Sequence, residues 1–215
     1  MGSDAQRRIV MLPDHDTVTA LGLLDEFCSV IQSGGLIIFP TETSYLLGAD
    51  GLNAEAVERL FRLKNRPKNM PLSMAFHSID SAKRWTVWDA YALRLAARYL
   101  PGPLTLILPL KCGIRRLYGI PDDNVGVRIP GYSLLLELLS RLQVPLTATS
   151  ANLHGTSEPY RIDQCVSDVD LILDAGCLPS RRTSTIVSLC EDPPFIVREG
   201  AIPSTEILET LNRMD

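Results

Sequence analysis

Three polar segments of this chain carry the residue types that grip phosphates and carboxylates. Thr149-Ser150-Ala151-Asn152 follows the apolar run Val144-Pro145-Leu146-Thr147-Ala148, so hydroxyl and amide groups emerge where a buried strand ends, the place α/β proteins use for ligands. These side chains can hold phosphate oxygens or a hydrated metal, and their small size lets a ligand approach the backbone. Lys64-Asn65-Arg66-Pro67-Lys68 alternates three cations in a Pro-containing loop, a form in which two or three of them can face one polyanion; arginine brings a planar fork and lysine a point charge. Thr41-Glu42-Thr43-Ser44-Tyr45 follows another apolar run, and Arg128 and Arg198 stand at the exits of two more. Converging, these residues would make an anion site.

Each segment also has a plainer reading. A basic loop after a helix is favoured by the helix dipole alone, Thr-Ser-Ala-Asn can be a capped turn, and an arginine at a strand exit can belong to a structural ion pair. Other chemistries find no support. The sequence contains no G-x-x-x-x-G-K-[ST], no G-x-G-x-x-G and no G-x-S-x-G, which removes the P-loop, the dinucleotide fingerprint and the hydrolase elbow. His15, His77 and His154 are far apart, and Cys28, Cys112, Cys165, Cys177 and Cys190 include no C-x-x-C pair, so neither a metal cage nor a disulfide framework is indicated. Trp88, Tyr91 and Leu95, at helical spacing, read as packing, and Trp85 likewise.

The elements that must position these groups alternate along the chain. Short apolar runs at 9–12, 36–39, 45–49, 72–76, 104–110, 125–129, 146–149, 169–173, 185–189 and 195–197 predict strands. Three-and-four apolar spacing predicts helices from a cap within 14–17 to about 33, over 53–64, within 79–99, over 133–142 and from about 204. Gly34-Gly35 stops the first helix. Unbroken apolar strands between helices indicate an α/β sheet with flanking helices.

Composition sets the class. With 215 residues and 46% hydrophobic content, one domain can bury roughly 70% of its unfolded surface; no repeat or linker divides it, so 1–215 reads as a single domain with 1–8 as a flexible tail. A net charge of −4 excludes general nucleic-acid coating, which needs broad cationic excess, and confines any RNA contact to a patch. The polar N-terminus and the lack of a membrane-length apolar run predict a soluble, cytoplasmic protein.

In order, Pro40-Thr41-Glu42-Thr43-Ser44-Tyr45, Lys64-Asn65-Arg66-Pro67, Pro101-Gly102-Pro103-Leu104-Thr105, Val127-Arg128-Ile129-Pro130, Thr149-Ser150-Ala151-Asn152-Leu153-His154-Gly155, Ser184-Thr185-Ile186-Val187 and Arg198-Glu199-Gly200-Ala201-Ile202 resemble the YrdC-like family of threonylcarbamoyl-AMP synthases, over most of the chain. The resemblance implies a twisted mixed sheet with an open, concave, positively charged cavity. It implies a nucleotidyltransferase that makes L-threonylcarbamoyl-adenylate from L-threonine, bicarbonate and ATP, releasing pyrophosphate, for threonylcarbamoyl modification of tRNA adenosine. Carried over by motif, Lys64, Arg66, Ser150 and Asn152 would be catalytic and, with Arg198, would bind ATP; Thr43, Arg128, Ala148 and Ser184 would surround threonine. Mg²⁺ would arrive with ATP, carried by phosphate and water rather than by a dedicated protein metal site, and downstream threonylcarbamoyl-transfer proteins would be partners.

The chain departs from the family pattern mainly on the amino-acid side. Ala75 stands where many relatives have His, Met70 where a polar residue is frequent, Leu46 where the family has Gly, Thr183 where Glu is frequent and Asn124 where Thr is common. Ending soon after the last motif, the chain resembles the short, stand-alone type. Two alternatives stay open at this level: a non-catalytic RNA-binding or ribosome-associated paralogue, with tRNA or double-stranded RNA as the contact, and carbamoyl-adenylate chemistry with another donor.

Overall fold

The computed structural model describes residues 8–12, 20–114, 116–120 and 123–212; there the apolar runs become strands of one sheet and the three-and-four patterns become helices packed on it. Strand β1 (Arg8–Met11) takes in Arg8 from the expected tail, and helix α1 (Ala20–Gln32) follows. The expected cap at 14–17 and tail residues 1–7 lie outside the described residues. After Gly34, whose φ of +82° suits a residue without Cβ, come the antiparallel strands β2 (Ile37–Pro40) and β3 (Tyr45–Gly48).

The order continues with α2 (Ala54–Lys64), β4 (Ser73–Ala75), α3 (Ile79–Lys83), α4 (Ala90–Tyr99), β5 (Leu104–Pro109), β6 (Asn124–Arg128), α5 (Ser133–Arg141) and β7 (Leu146–Ser150). A short 3-10 turn at Ile162–Gln164, absent from the sequence reading, precedes β8 (Leu171–Asp174), β9 (Thr185–Ser188), β10 (Phe195–Arg198) and α6 (Ser204–Asn212). The ten strands lie in the order β1-β8-β2-β3-β7-β4-β6-β5-β9-β10, with parallel pairs such as β4/β6 and β5/β9 beside antiparallel ones such as β3/β7 and β5/β6. The expected mixed sheet is thus present.

Alternation along each strand assigns the helices to faces. Ile37 and Phe39 of β2, with Leu171 and Leu173 of β8, join Leu24, Phe27 and Ile31 of α1 and Leu135, Leu138 and Leu139 of α5. The intervening Ile38 and Ile172 join Val57, Leu60 and Phe61 of α2 on the other face. Farther along, Leu104, Leu106, Val127 and Val187 of β5, β6 and β9 meet Leu95 of α4 and Ile207 and Leu211 of α6. Trp85, Trp88 and Leu95 pack as expected, whereas Tyr91 is 37% exposed and turns away from the core. Among the described residues no helix is long and apolar enough to cross a membrane.

Candidate active site

The alternation that buries Leu104, Leu106, Val127 and Val187 sends Thr105, Arg128 and Ile186 to the opposite face of the same strands. There they line a cavity of about 170 Å³, closed by the β2–β3 loop, the segment after α2, the end of β7 and the approach to β9. Thr43, Arg66, Arg128, Ala148, Ser150, Ser184 and Arg198 all line it. These sequence-expected residues come from six separated segments, and the fold brings them to one hollow.

At one end Arg128, 5% exposed, reaches across from the last residue of β6. Its Nη2 donates to Thr43 Oγ1 at 2.5 Å, to Glu42 Oε1 at 3.1 Å and to Thr41 Oγ1 at 3.5 Å. The other oxygen of Glu42 accepts from the Gly131 amide at 2.9 Å, which fixes the carboxylate and through it the guanidinium. Arg128 Nε is buried and has no hydrogen-bond partner among the described residues. A buried N–H left unmet is costly unless a ligand completes it, so the group is ready for an anionic oxygen. Nearby, the buried hydroxyls of Thr105 and Ser184 share a hydrogen bond of 2.9 Å.

The other cations are less buried. Arg66 donates to Pro71 O at 2.9 Å and Met70 O at 3.4 Å, leaving part of its fork on the cavity. Arg198 donates to Ser184 O at 2.8 Å and to Ser184 Oγ at 3.3 Å. Burial lowers both guanidinium pKa values from their usual range, and Glu158 partly offsets this at Arg198. Ser150 ends β7 in a half-buried position rather than in an exposed loop, and it lines the cavity.

The expected alternating cationic loop does not exist in that form. Lys64 is the last residue of α2 and is 1% exposed. Its ammonium lies behind the cavity wall, donating to the carbonyl of Ser150, to Asn152 O at 2.7 Å and to Asn152 Oδ1 at 3.4 Å. Asn65 then turns the chain in a left-handed conformation, φ 50°, which sends Arg66 toward the cavity while Lys68 pairs with Glu58 at 2.8 Å. Asn152 is 5% exposed and also outside the lining; its Nδ2 donates to Thr156 O at 2.7 Å and Ser157 O at 3.0 Å. Lys64 and Asn152 therefore hold the Ser150 segment from behind. Burial, then the nearby Arg66, pushes Lys64 down to about 8.

Several lining residues were missed in the sequence. Ser73, Thr105 and Ile186 occupy the off-beat positions of strands whose neighbours are core, so period-2 counting would have found them. Glu158, whose carboxylate accepts from Ser44 Oγ at 3.3 Å, had no such signal. Of the departures from the family pattern, Leu46 and Thr183 touch the cavity, while Ala75 is buried in the α1/α5 core and Met70 is exposed.

The family model for Sua5, YciO and YrdC proteins, described as "Telomere recombination", matches residues 29–200. This chain belongs to the Sua5/YciO/YrdC family. The matched region holds every cavity residue from Thr43 to Arg198. The chain is 34% identical to the threonylcarbamoyl-AMP synthase of Pyrococcus abyssi over 191 residues, covering 86% of this chain and 56% of that protein. It is also 34% identical over 177 residues to the putative threonylcarbamoyl-AMP synthase of Methanocaldococcus jannaschii, covering 80% and 83%. The crystal structure of P. abyssi Sua5 complexed with L-threonine matches with a TM-score of 0.85 at 32% identity, covering 95% of this chain and 61% of that one. The chain thus spans little more than half of the P. abyssi member of the Sua5/YciO/YrdC family.

Proposed function

We propose that this protein makes L-threonylcarbamoyl-adenylate from L-threonine, bicarbonate-derived carbon dioxide and ATP, releasing pyrophosphate. The observation that carries the reading is Arg128: a clamped, buried guanidinium whose Nε–H lacks a partner among the described residues, in the same cavity as Arg66, Arg198 and Ser150. Arg128 receives the threonine carboxylate, with the hydroxyls of Thr43 and Ser184 and the backbone at Ala148 around the small amino acid. The threonine found in P. abyssi Sua5 supports this half. Arg66, Arg198 and Ser150 receive the triphosphate, and Lys64 and Asn152 act from behind by fixing Ser150. On this reading the cavity takes the phosphates and the amino acid, and the adenosine extends past its open rim.

In the first step the threonine amine, as free base, attacks the carbon of carbon dioxide; an N–C bond forms and the amine loses a proton, giving a carbamate. A carbamate oxygen then attacks the α-phosphorus, and the α–β bridging P–O bond breaks with its electron pair leaving on pyrophosphate. No side chain needs to become covalent, so the residues contribute alignment and charge compensation. Among the described residues no group of three or more His, Cys, Asp or Glu could form a metal cage. The cavity instead offers one carboxylate, Glu158, and several hydroxyls, a set that fits Mg²⁺ carried mainly by phosphates and water. Bound there, the ion would neutralise charge building on the leaving pyrophosphate. The adenylate would pass to transfer proteins that modify tRNA.

Pyrophosphate release that requires threonine and bicarbonate together is the expected result. Release without threonine dependence would remove the assignment, and consumption of carbamoyl phosphate in place of threonine would redirect it to another donor.

A further inference from the structure

Glu158 is a carboxylate facing a cavity otherwise lined by cations, hydroxyls and apolar groups. It forms no ion pair among the described residues; its one hydrogen bond, through Oε2, comes from Ser44 Oγ at 3.3 Å. Its field reaches Lys64 and Arg198, holding the pKa of each higher than burial alone would leave it. The backbone on both sides is pinned, since Asn152 Nδ2 donates to Ser157 O at 3.0 Å and the Tyr45 amide to Pro159 O at 2.9 Å. The carboxylate is thus held in place within a hollow that, on the reading above, accepts a polyanion.

A fixed carboxylate repels a free triphosphate at short range. The repulsion becomes attraction when a divalent cation lies between them, and one or two carboxylates plus phosphate oxygens and water form the usual Mg²⁺ shell. We infer that Glu158 is this protein's own ligand for the cation that accompanies the triphosphate, with the Ser44 hydroxyl beside it as orienting partner. This rests on the nucleotide half of the proposed function. The carboxylate then acts as a selector: it disfavours metal-free ATP and favours the metal complex, while Arg66 and Arg198 hold the remaining phosphate charge.

The test is calorimetric titration of the full chain with α,β-methylene-ATP in EDTA and in rising Mg²⁺, repeated for Glu158→Gln and Glu158→Asp, with Mn²⁺ paramagnetic resonance to read bound metal directly. Wild type is expected to bind the analogue more tightly with metal. Glu158→Gln is expected to bind metal-free analogue at least as well as wild type but to lose about tenfold or more in metal affinity within the complex. Glu158→Asp, which keeps the charge, is expected to recover part of that loss. Equal metal dependence in wild type and Glu158→Gln would overturn the inference and leave the nucleotide site standing. A variant that keeps its metal dependence but loses threonine binding would assign Glu158 to the substrate amine, also overturning it. Failure of wild type to bind the analogue with or without metal would overturn the inference and the proposed function together.

Discussion

Ser150 and Arg66, both proposed to meet the phosphates, are tied to the fold less than Lys64 behind them. Among the described residues no hydrogen bond of Ser150 Oγ is seen, and Arg66 makes two local bonds to the carbonyls of Met70 and Pro71. Arg66→Ala is therefore expected to weaken ATP-analogue binding about tenfold or more, the worth of one charge-assisted hydrogen bond, with circular dichroism and Tm close to wild type; Ser150→Ala should act in the same direction and more weakly. Normal ATP titration in both variants would misplace the phosphate site. Lys64 is different, because burial and Arg66 bring it to about 8 in the free protein. A bound triphosphate favours the ammonium and raises that value. Above pH 8 the free protein has lost the proton, so binding must take it up and affinity falls as pH rises. Titrations at pH 9 in buffers of different ionisation heat should show this uptake in wild type but not in Lys64→Met, and none at pH 7 in either. Equal uptake in both variants at pH 9 would clear Lys64 of the role.

Helix α2 shows what an element contributes, because its two ends aim the site. Asn53 caps the start, its Oδ1 accepting from the amides of Glu55 and Ala56 at 3.1 Å each, and Asn65 ends it in a left-handed turn that divides Lys64 from Arg66. Asn53→Ala is expected to cost about 1 kcal/mol, a Tm lower by about 2–4 °C, without changing ATP affinity; a loss of affinity would show that the cap also steers the far end. Most elements were legible because unbroken apolar runs and stripes fix type and extent: α2, α5, β7, β9 and β10 fall within a residue or two of their expected bounds. Strand order was not, since a period-2 pattern records which face is buried and not which neighbour is paired; nothing local to 171–174 places β8 between β1 and β2. At the site, Arg66, Arg128 and Arg198 stood out as charges beside apolar strands. The direction of Lys64 did not, because it depends on one positive φ at the next residue. Nor did Glu158, which in sequence is an ordinary acidic residue before a proline.

On the scale of the molecule, the cavity wall formed by Ser184, just before β9, and Arg198, the last residue of β10, rests on the last two strands at one edge of the sheet. Edge strands are where local opening costs least, so this wall needs a brace. It has one: Thr185 Oγ1 accepts from the amides of Gly200 at 2.9 Å and Ile202 at 3.0 Å and donates to Ile202 O at 2.7 Å, while the Ala201 amide donates to Thr183 O at 2.7 Å. The chain leaving β10 is thereby laid against the chain entering β9. The approach is so close that a Cβ at Gly200 would stand 2.2 Å from Thr183 O and 2.5 Å from Ser184 C, both backbone atoms. Gly200→Ala must push the two segments apart and with them the bond from Arg198 to Ser184 O. Since Ser184 faces the amino acid and Arg198 the phosphates in the proposed function, the variant is expected to lose affinity for threonine and for the ATP analogue together, with helix content retained and Tm lowered. Gly22→Ala is the control, because an added Cβ there meets nothing within 4 Å and alanine favours the helix by about 1 kcal/mol; it should bind both ligands as wild type does. Unchanged binding of both ligands by Gly200→Ala would mean that the edge strands hold the wall without this brace.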